Sequence, residues 1–106
     1  MVDVGNGKIA LKADTGNYVT RCRSCVVNGA YEDFVTIHVT DPSLEYAQFT
    51  PELLNNGKYV LRADTGKYVT RCRICSPWAA YEDTVTIHIS NPKDEPAAQW
   101  QVVRVE

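Results

Sequence analysis

The stretch GKYVLRADTGKYVTRCRIC, Gly57 to Cys75, restates GKIALKADTGNYVTRCRSC, Gly7 to Cys25, fifty positions earlier. Sliding the chain against itself by that offset aligns Gly7 to Glu45 with Gly57 to Glu95 without a gap, and 24 of the 39 positions are identical. A fixed internal period is the signature of a copied structural unit. One extra residue in the second copy then moves AQF, Ala47 to Phe49, onto AQW, Ala98 to Trp100. The chain of 106 residues reads as a single domain, 1–106, with internal repeats 7–56 and 57–106.

Within each copy the period is two. KIALKA and KYVLRA put Ile9 and Leu11, or Tyr59 and Leu61, on one face; VTIHV and VTIHI set Val35, Ile37 and Val39 against Thr36, His38 and Thr40. Such alternation predicts half-buried strands. ADTG stands between two of them. Asp followed closely by Gly is hairpin chemistry, because Gly tolerates positive φ and Asp bonds its own backbone. TDPS and SNPK close the third strand, and YAQFTPELL and AAQWQVVRVE are read as the fourth. No segment has a helical period, so the expectation is all-β with four strands per copy.

The pattern Gly-Lys-x-x-Leu-x-Ala-Asp-x-Gly-Lys-Tyr-Val, at Gly57, Lys58, Leu61, Ala63, Asp64, Gly66, Lys67, Tyr68 and Val69, resembles the first hairpin of fascin-like domains and β-trefoil agglutinins. The first copy matches at Gly7, Lys8, Leu11, Ala13, Asp14, Gly16, Tyr18 and Val19, with Asn17 at the second lysine position. A trefoil has three such lobes and this chain has two. The expected architecture is therefore two tandem four-stranded trefoil-like repeats closing about a pseudo-two-fold axis into a barrel or sandwich. A homodimer in which neighbouring chains complete the missing lobe is the other form considered.

Composition bounds the function. Apolar residues are 44%, charged residues 23%, and the net charge is -2, which is ordinary globular usage with no basic footprint for nucleic acid. No run approaches the roughly 20 apolar residues of a membrane span, and MVDVGNGKIALK carries neither half of a signal peptide. Four cysteines, an even number, suit a secreted protein whose signal has been removed, which is preferred here to a cytoplasmic one.

Asp-Thr-Gly at Asp14 and Asp64 is also the triplet of aspartic proteases, whose two carboxylates share a proton. A basic residue close to each Asp favours its ionised form, against that chemistry, so the triplets are read as turns. The pairs Cys22/Cys25 and Cys72/Cys75 leave disulfide or metal open. Residues three apart on a strand lie about 10 Å from each other, so either use requires the chain to turn between them. Twelve residues separate Cys25 from His38 and Cys75 from His88, as in the first three ligands of a zinc finger, but Asp41 and Asn91 stand where a fourth would follow. Disulfides are the preferred reading; zinc, through two CxxC pairs, is the alternative. AYED, Ala30 to Asp33 and Ala80 to Asp83, places adjacent acids on opposite sides of an extended chain, a poor catalytic pair.

With no catalytic constellation, the chain is read as a binding protein and not an enzyme. Thr20, Arg21, Arg23, Glu32, Asp33, Thr36 and His38 all recur in the second copy, and several are expected to face outward. Two equivalent sites would permit crosslinking. A glycan site needs an aromatic plate with short polar groups around it. The candidates are Asp14, Asn17, Tyr18 and His38, then Asp64, Lys67, Tyr68 and His88, with Trp78 in the unmatched loop SPWAA. The alternative partner is a protein, such as an actin filament in the fascin manner, met by the stripe Lys8, Lys12, Arg21, Arg23 and its second copy.

Overall fold

In each copy Ala-Asp-Thr-Gly closes a tight turn: the Gly16 amide bonds the Ala13 carbonyl at 3.0 Å and the Gly66 amide bonds Ala63 at 3.1 Å. Gly16 and Gly66 hold φ of 93° and 86°, a region glycine enters without penalty. The turns join the strands of a structure, a computed structural model, that describes residues 2–102. Eight strands follow: β1 (Val2–Gly5), β2 (Lys8–Ala10), β3 (Tyr18–Arg23), β4 (Asp33–Val39), β5 (Thr50–Leu53), β6 (Tyr59–Arg62), β7 (Tyr68–Arg73) and β8 (Asp83–Ile89). Among the described residues the helical segments are three short 3-10 turns, at Glu45–Ala47, Pro92–Asp94 and Pro96–Ala98. Among the described residues no helix is long and apolar enough to cross a membrane.

The protein is all-β. β1 and β2 pair alone, and the other six strands form one curled sheet, a half-barrel, in the order β3-β4-β8-β7-β6-β5. Hairpins β3–β4 and β7–β8 keep the same register fifty positions apart, Thr20 opposite Thr36 and Thr70 opposite Thr86, with the same bulge at Tyr18/Val19 and Tyr68/Val69. The two hairpins meet where Phe34 pairs with Thr86.

The core lies inside the curl: Ile9, Phe49, Ala63, Val69 and Ile87, with Trp100 packed beside them. Burying an aromatic such as Phe49 contributes roughly 1.5–3 kcal/mol. AQF and AQW recur for three separate reasons. Ala47 and Ala98 are wholly buried. Gln48 and Gln99 each donate from Nε2 to the carbonyl of a turn proline, Pro42 at 2.9 Å and Pro92 at 3.1 Å. Phe49 and Trp100 exchange backbone bonds with Ile9 and Tyr59, and Trp100 Nε1 donates to the Val69 carbonyl at 3.1 Å. Tyr46 and Ala47 thus lie in a 3-10 turn and the first copy's fourth strand starts later than the sequence suggests, because the proline turn and its glutamine clamp take up those residues. Of the second copy's AAQWQVVRVE the described residues give a 3-10 turn and the Trp100 bridge to Tyr59, and 103–106 lie outside the described residues.

The alternation is also imperfect. Ala10 and Val60, neighbours of the expected inward residues, are themselves buried, and so are Thr20, Thr70 and Thr86. Curling covers both faces of these strands. The buried hydroxyls find partners: Thr20 Oγ1 donates to the Tyr46 carbonyl at 2.7 Å, and Thr86 Oγ1 pairs with His88 Nδ1 at 2.7 Å. Among the described residues no buried side-chain polar atom is left without a partner.

Both CxxC pairs are disulfides, Cys22–Cys25 and Cys72–Cys75, with Cα atoms 5.7 Å apart in each. The chain turns to bring them together by placing Ser24 at φ 59° and Ile74 at φ 57°. Phe34 packs on the second disulfide with Val26 to form a smaller core.

Candidate functional site

Arg21 leaves β3 and reaches into the second copy. Its Nε donates to Asp64 Oδ1 at 2.7 Å and its Nη2 to Asp64 Oδ2 at 2.9 Å, while Nη1 donates to Asp33 Oδ1 at 3.1 Å. The Arg21 and Asp64 side chains are only 15% and 17% exposed, so this fork is largely shielded from water. Hydrogen bonding from the guanidinium holds the Asp64 carboxyl below the usual carboxylate range, and the carboxylates raise the guanidinium pKa in turn. A carboxylate bound at both oxygens by a cation cannot share a proton with another acid. Asp14, its counterpart, is exposed and makes no side-chain hydrogen bond or ion pair among the described residues.

Beside the fork the Tyr31 and His88 rings stack, centroids 3.6 Å apart and planes within 6°. They line a cleft of about 340 Å³ together with Arg23, Glu32, Thr65 and Lys67. Tyr31, Glu32 and Arg23 belong to the first copy, and Thr65, Lys67 and His88 to the second; the cleft is built on the junction. Burial, then the Lys67 charge, pushes the His88 imidazole below its ordinary value, opposed by Glu95. A neutral ring therefore faces Tyr31 at neutral pH.

The sequence-based candidates divide accordingly. Lys67 and His88 come together in the cleft. Asp64 does not line the cleft; it is held by Arg21, which also bonds the cleft residue Asp33. Tyr68 is half-buried and donates to Glu52 Oε1 at 3.1 Å; burial first, then this bond, raises its pKa. Tyr18 is buried in packing, Asn17 is half-buried at its turn, and His38 is exposed with Thr36 Oγ1 on its Nδ1 at 2.8 Å. Trp78 is 76% exposed, on a shallow apolar depression with Val26, Val27 and Cys25. Tyr31, Glu32 and Arg23 are not among the glycan-site candidates. Their signal was the recurrence of AYED and of the arginine pattern. Of the repeated polar residues expected to face outward, Thr20 and Asp33 are buried, Thr20 bonding Tyr46 within its own copy and Asp33 holding Arg21.

The arginine stripe is tied to acids: Arg62 to Glu52 at 3.6 Å, Arg71 to Asp83 at 3.2 Å and Arg73 to Glu82 at 3.1 Å, with Arg23 3.7 Å from Asp33. Among the described residues no three potential ligands gather to hold a metal ion.

No protein-family model matches the chain, and no curated protein sequence matches it. Among solved structures it is similar to a chain of the Haemophilus ducreyi cytolethal distending toxin, with a TM-score of 0.65 and 16% identity. The likeness covers 96% of this chain and 56% of that one, so the chain spans little more than half the length of the structure it matches. At that identity the likeness concerns the fold alone.

Proposed function

We propose that this is a small lectin-like carbohydrate-binding protein that seats a sugar ring in the Tyr31–His88 cleft. The observation that carries the reading is the stacked ring pair beside polar side chains of both signs. A sugar lays its apolar face on an aromatic ring while its hydroxyls exchange hydrogen bonds with charged groups. Tyr31 keeps 42% of its surface open for the first task. Lys67 and Arg23 donate and Glu32 accepts for the second.

The architecture proposed with it is two tandem four-stranded trefoil-like repeats of the kind the fascin-like and agglutinin resemblance implies. The equal registers of the two hairpins and the matching bridges Ile9 to Phe49 and Tyr59 to Trp100 support it. Two-site binding follows where a second ring pair forms from the equivalent residues Tyr81 and His38. The disulfides favour a compartment outside the reducing cytosol. Protein from its natural source should gain about four protons in mass on reduction, two for each disulfide opened.

Binding to an array of glycans, followed by titration of the best ligand, tests the function. Tyr31→Ala and Lys67→Ala should weaken binding at least about tenfold, the scale of one lost stacking or charged contact, while Trp78→Ala leaves it unchanged. Retained binding in the first two would remove the cleft from the account. The actin-crosslinking alternative requires a positive surface, and the ion pairs along the arginine stripe weaken that field; salt-sensitive pelleting with filaments would revive it. The zinc alternative requires thiolates from both closed disulfides, and elemental analysis of protein purified under reductant tests it.

A further inference from the structure

Among the described residues, the following contacts of the first copy on the second are left unmade in the opposite direction. Arg21 grips Asp64, but its counterpart Arg71 is 51% exposed, holding only Asp83, and Asp14 is open. Tyr31 stacks on His88, but Tyr81 is 83% exposed and His38 lies bare. The Ala30 amide bonds the Cys75 carbonyl at 2.8 Å and Cys75 is buried, whereas its equivalent Cys25 is exposed. Ile87 is 1% exposed beneath the junction and its equivalent Ile37 is 52% exposed. The first copy thus carries an unused receiving face and the second an unused donating face. These faces match in charge, Arg71 against Asp14, and in ring chemistry, Tyr81 against His38.

We propose that a second copy of this chain docks head to tail on these faces, the Arg71–Tyr81 face of one chain seating on the Asp14–Ile37–His38 face of the next. The intrachain junction supplies the template for the contacts that follow, though not for the Phe34 cover of the second disulfide, since Thr84 stands at the equivalent position. Arg71 forks onto Asp14 as Arg21 does onto Asp64, Tyr81 stacks on His38, Ala80 bonds the Cys25 carbonyl, and Ile37 is covered as Ile87 is. The interface is heterologous, so assembly continues until a ring closes, and the smallest ring is a pair of chains engaged at both faces.

Sedimentation velocity of the 106-residue chain over a wide concentration range, with its disulfides intact, tests the proposal. The mass should rise above the single-chain 11.9 kDa with concentration. Arg71→Asp and Asp14→Arg, each alone, should weaken association by about tenfold or more, since each sets like charges against each other. Mixing the two variants in equal amounts puts every altered side chain opposite one of opposite charge and should restore association. Circular dichroism and melting of each variant separate loss of docking from loss of fold, because neither residue is buried. A mass of one chain at all concentrations, or association that both variants leave intact, would overturn the proposal.

Discussion

Phe34 lies directly over Gly29: a methyl group placed on Gly29 would stand 2.6 Å from Phe34 Cε1. In the second copy the equivalent positions hold Ala79 and Thr84, a larger residue under a smaller one. The two sites have exchanged volume within one chain. Phe34 is buried on the Cys72–Cys75 disulfide and has nowhere to retreat. Gly29→Ala should therefore destabilise by about 1–3 kcal/mol, the usual cost of overpacking. In a Phe34→Thr background the same change should cost nothing or stabilise slightly. Denaturant unfolding of the four proteins in this cycle measures the coupling, and additive costs would contradict it.

The Arg21–Asp64 fork makes a second expectation. Asp64 titrates below its unfolded value, near 3.9, so its contribution is fully present above that pH and is lost as pH falls through the lower, folded value. Stability should fall below about pH 4. Asp64→Asn should flatten part of that fall, while Arg21→Lys, which keeps the charge but not the fork, should cost about 1.5–3 kcal/mol at neutral pH. If Arg21→Lys matches the parent protein in urea, the two-pronged geometry is irrelevant to stability.

The disulfides should not open together. Cys72 and Cys75 are buried beneath Phe34, whereas Cys25 is exposed with no such cover. Exchange requires the attacking thiolate to reach sulfur. Under mild reductant, Cys22 and Cys25 should be alkylated well before the second pair, as read by mass spectrometry of peptides. For so short a loop, loss of either bridge should cost about 2 kcal/mol by loop closure alone. Phe34→Ala should bring the two rates together; if they were already equal, access would not govern them.

Strand class and turns were legible because they are local: alternation over five or six residues marks a strand, and Asp-Thr-Gly marks its turn. The disulfides were legible as the preferred use of spacing and number, but not the left-handed Ser24 and Ile74 that make each bridge reachable. The junction was not legible. Arg21 and Arg71 are the same residue in the same motif, yet one is shielded in a fork with the other copy and the other is half-exposed with only its own strand neighbour's Asp83 as partner among the described residues. Sequence identity between copies conceals this difference in environment. The same cause hid Tyr31, whose partner His88 lies far along the chain.

His88 provides the last expectation. Its folded value lies below that of a free imidazole, first through burial and then through Lys67, with Glu95 opposing. Arg23, Glu32 and Asp33 line the same cleft, and Thr86 Oγ1 bonds Nδ1 from its own strand. Below the unfolded value of about 6.5 the unfolded chain takes up a proton that the folded chain resists, so stability rises with pH between the two values. Acidification through that window should loosen the ring stack, and melting temperature should fall in step with a shift of the Tyr31 ring signals in NMR. His88→Phe keeps an aromatic plate on Tyr31 and removes the titration, so its melting temperature should vary less with pH over the same range. An unchanged slope in that variant would place the titrating group elsewhere in the chain.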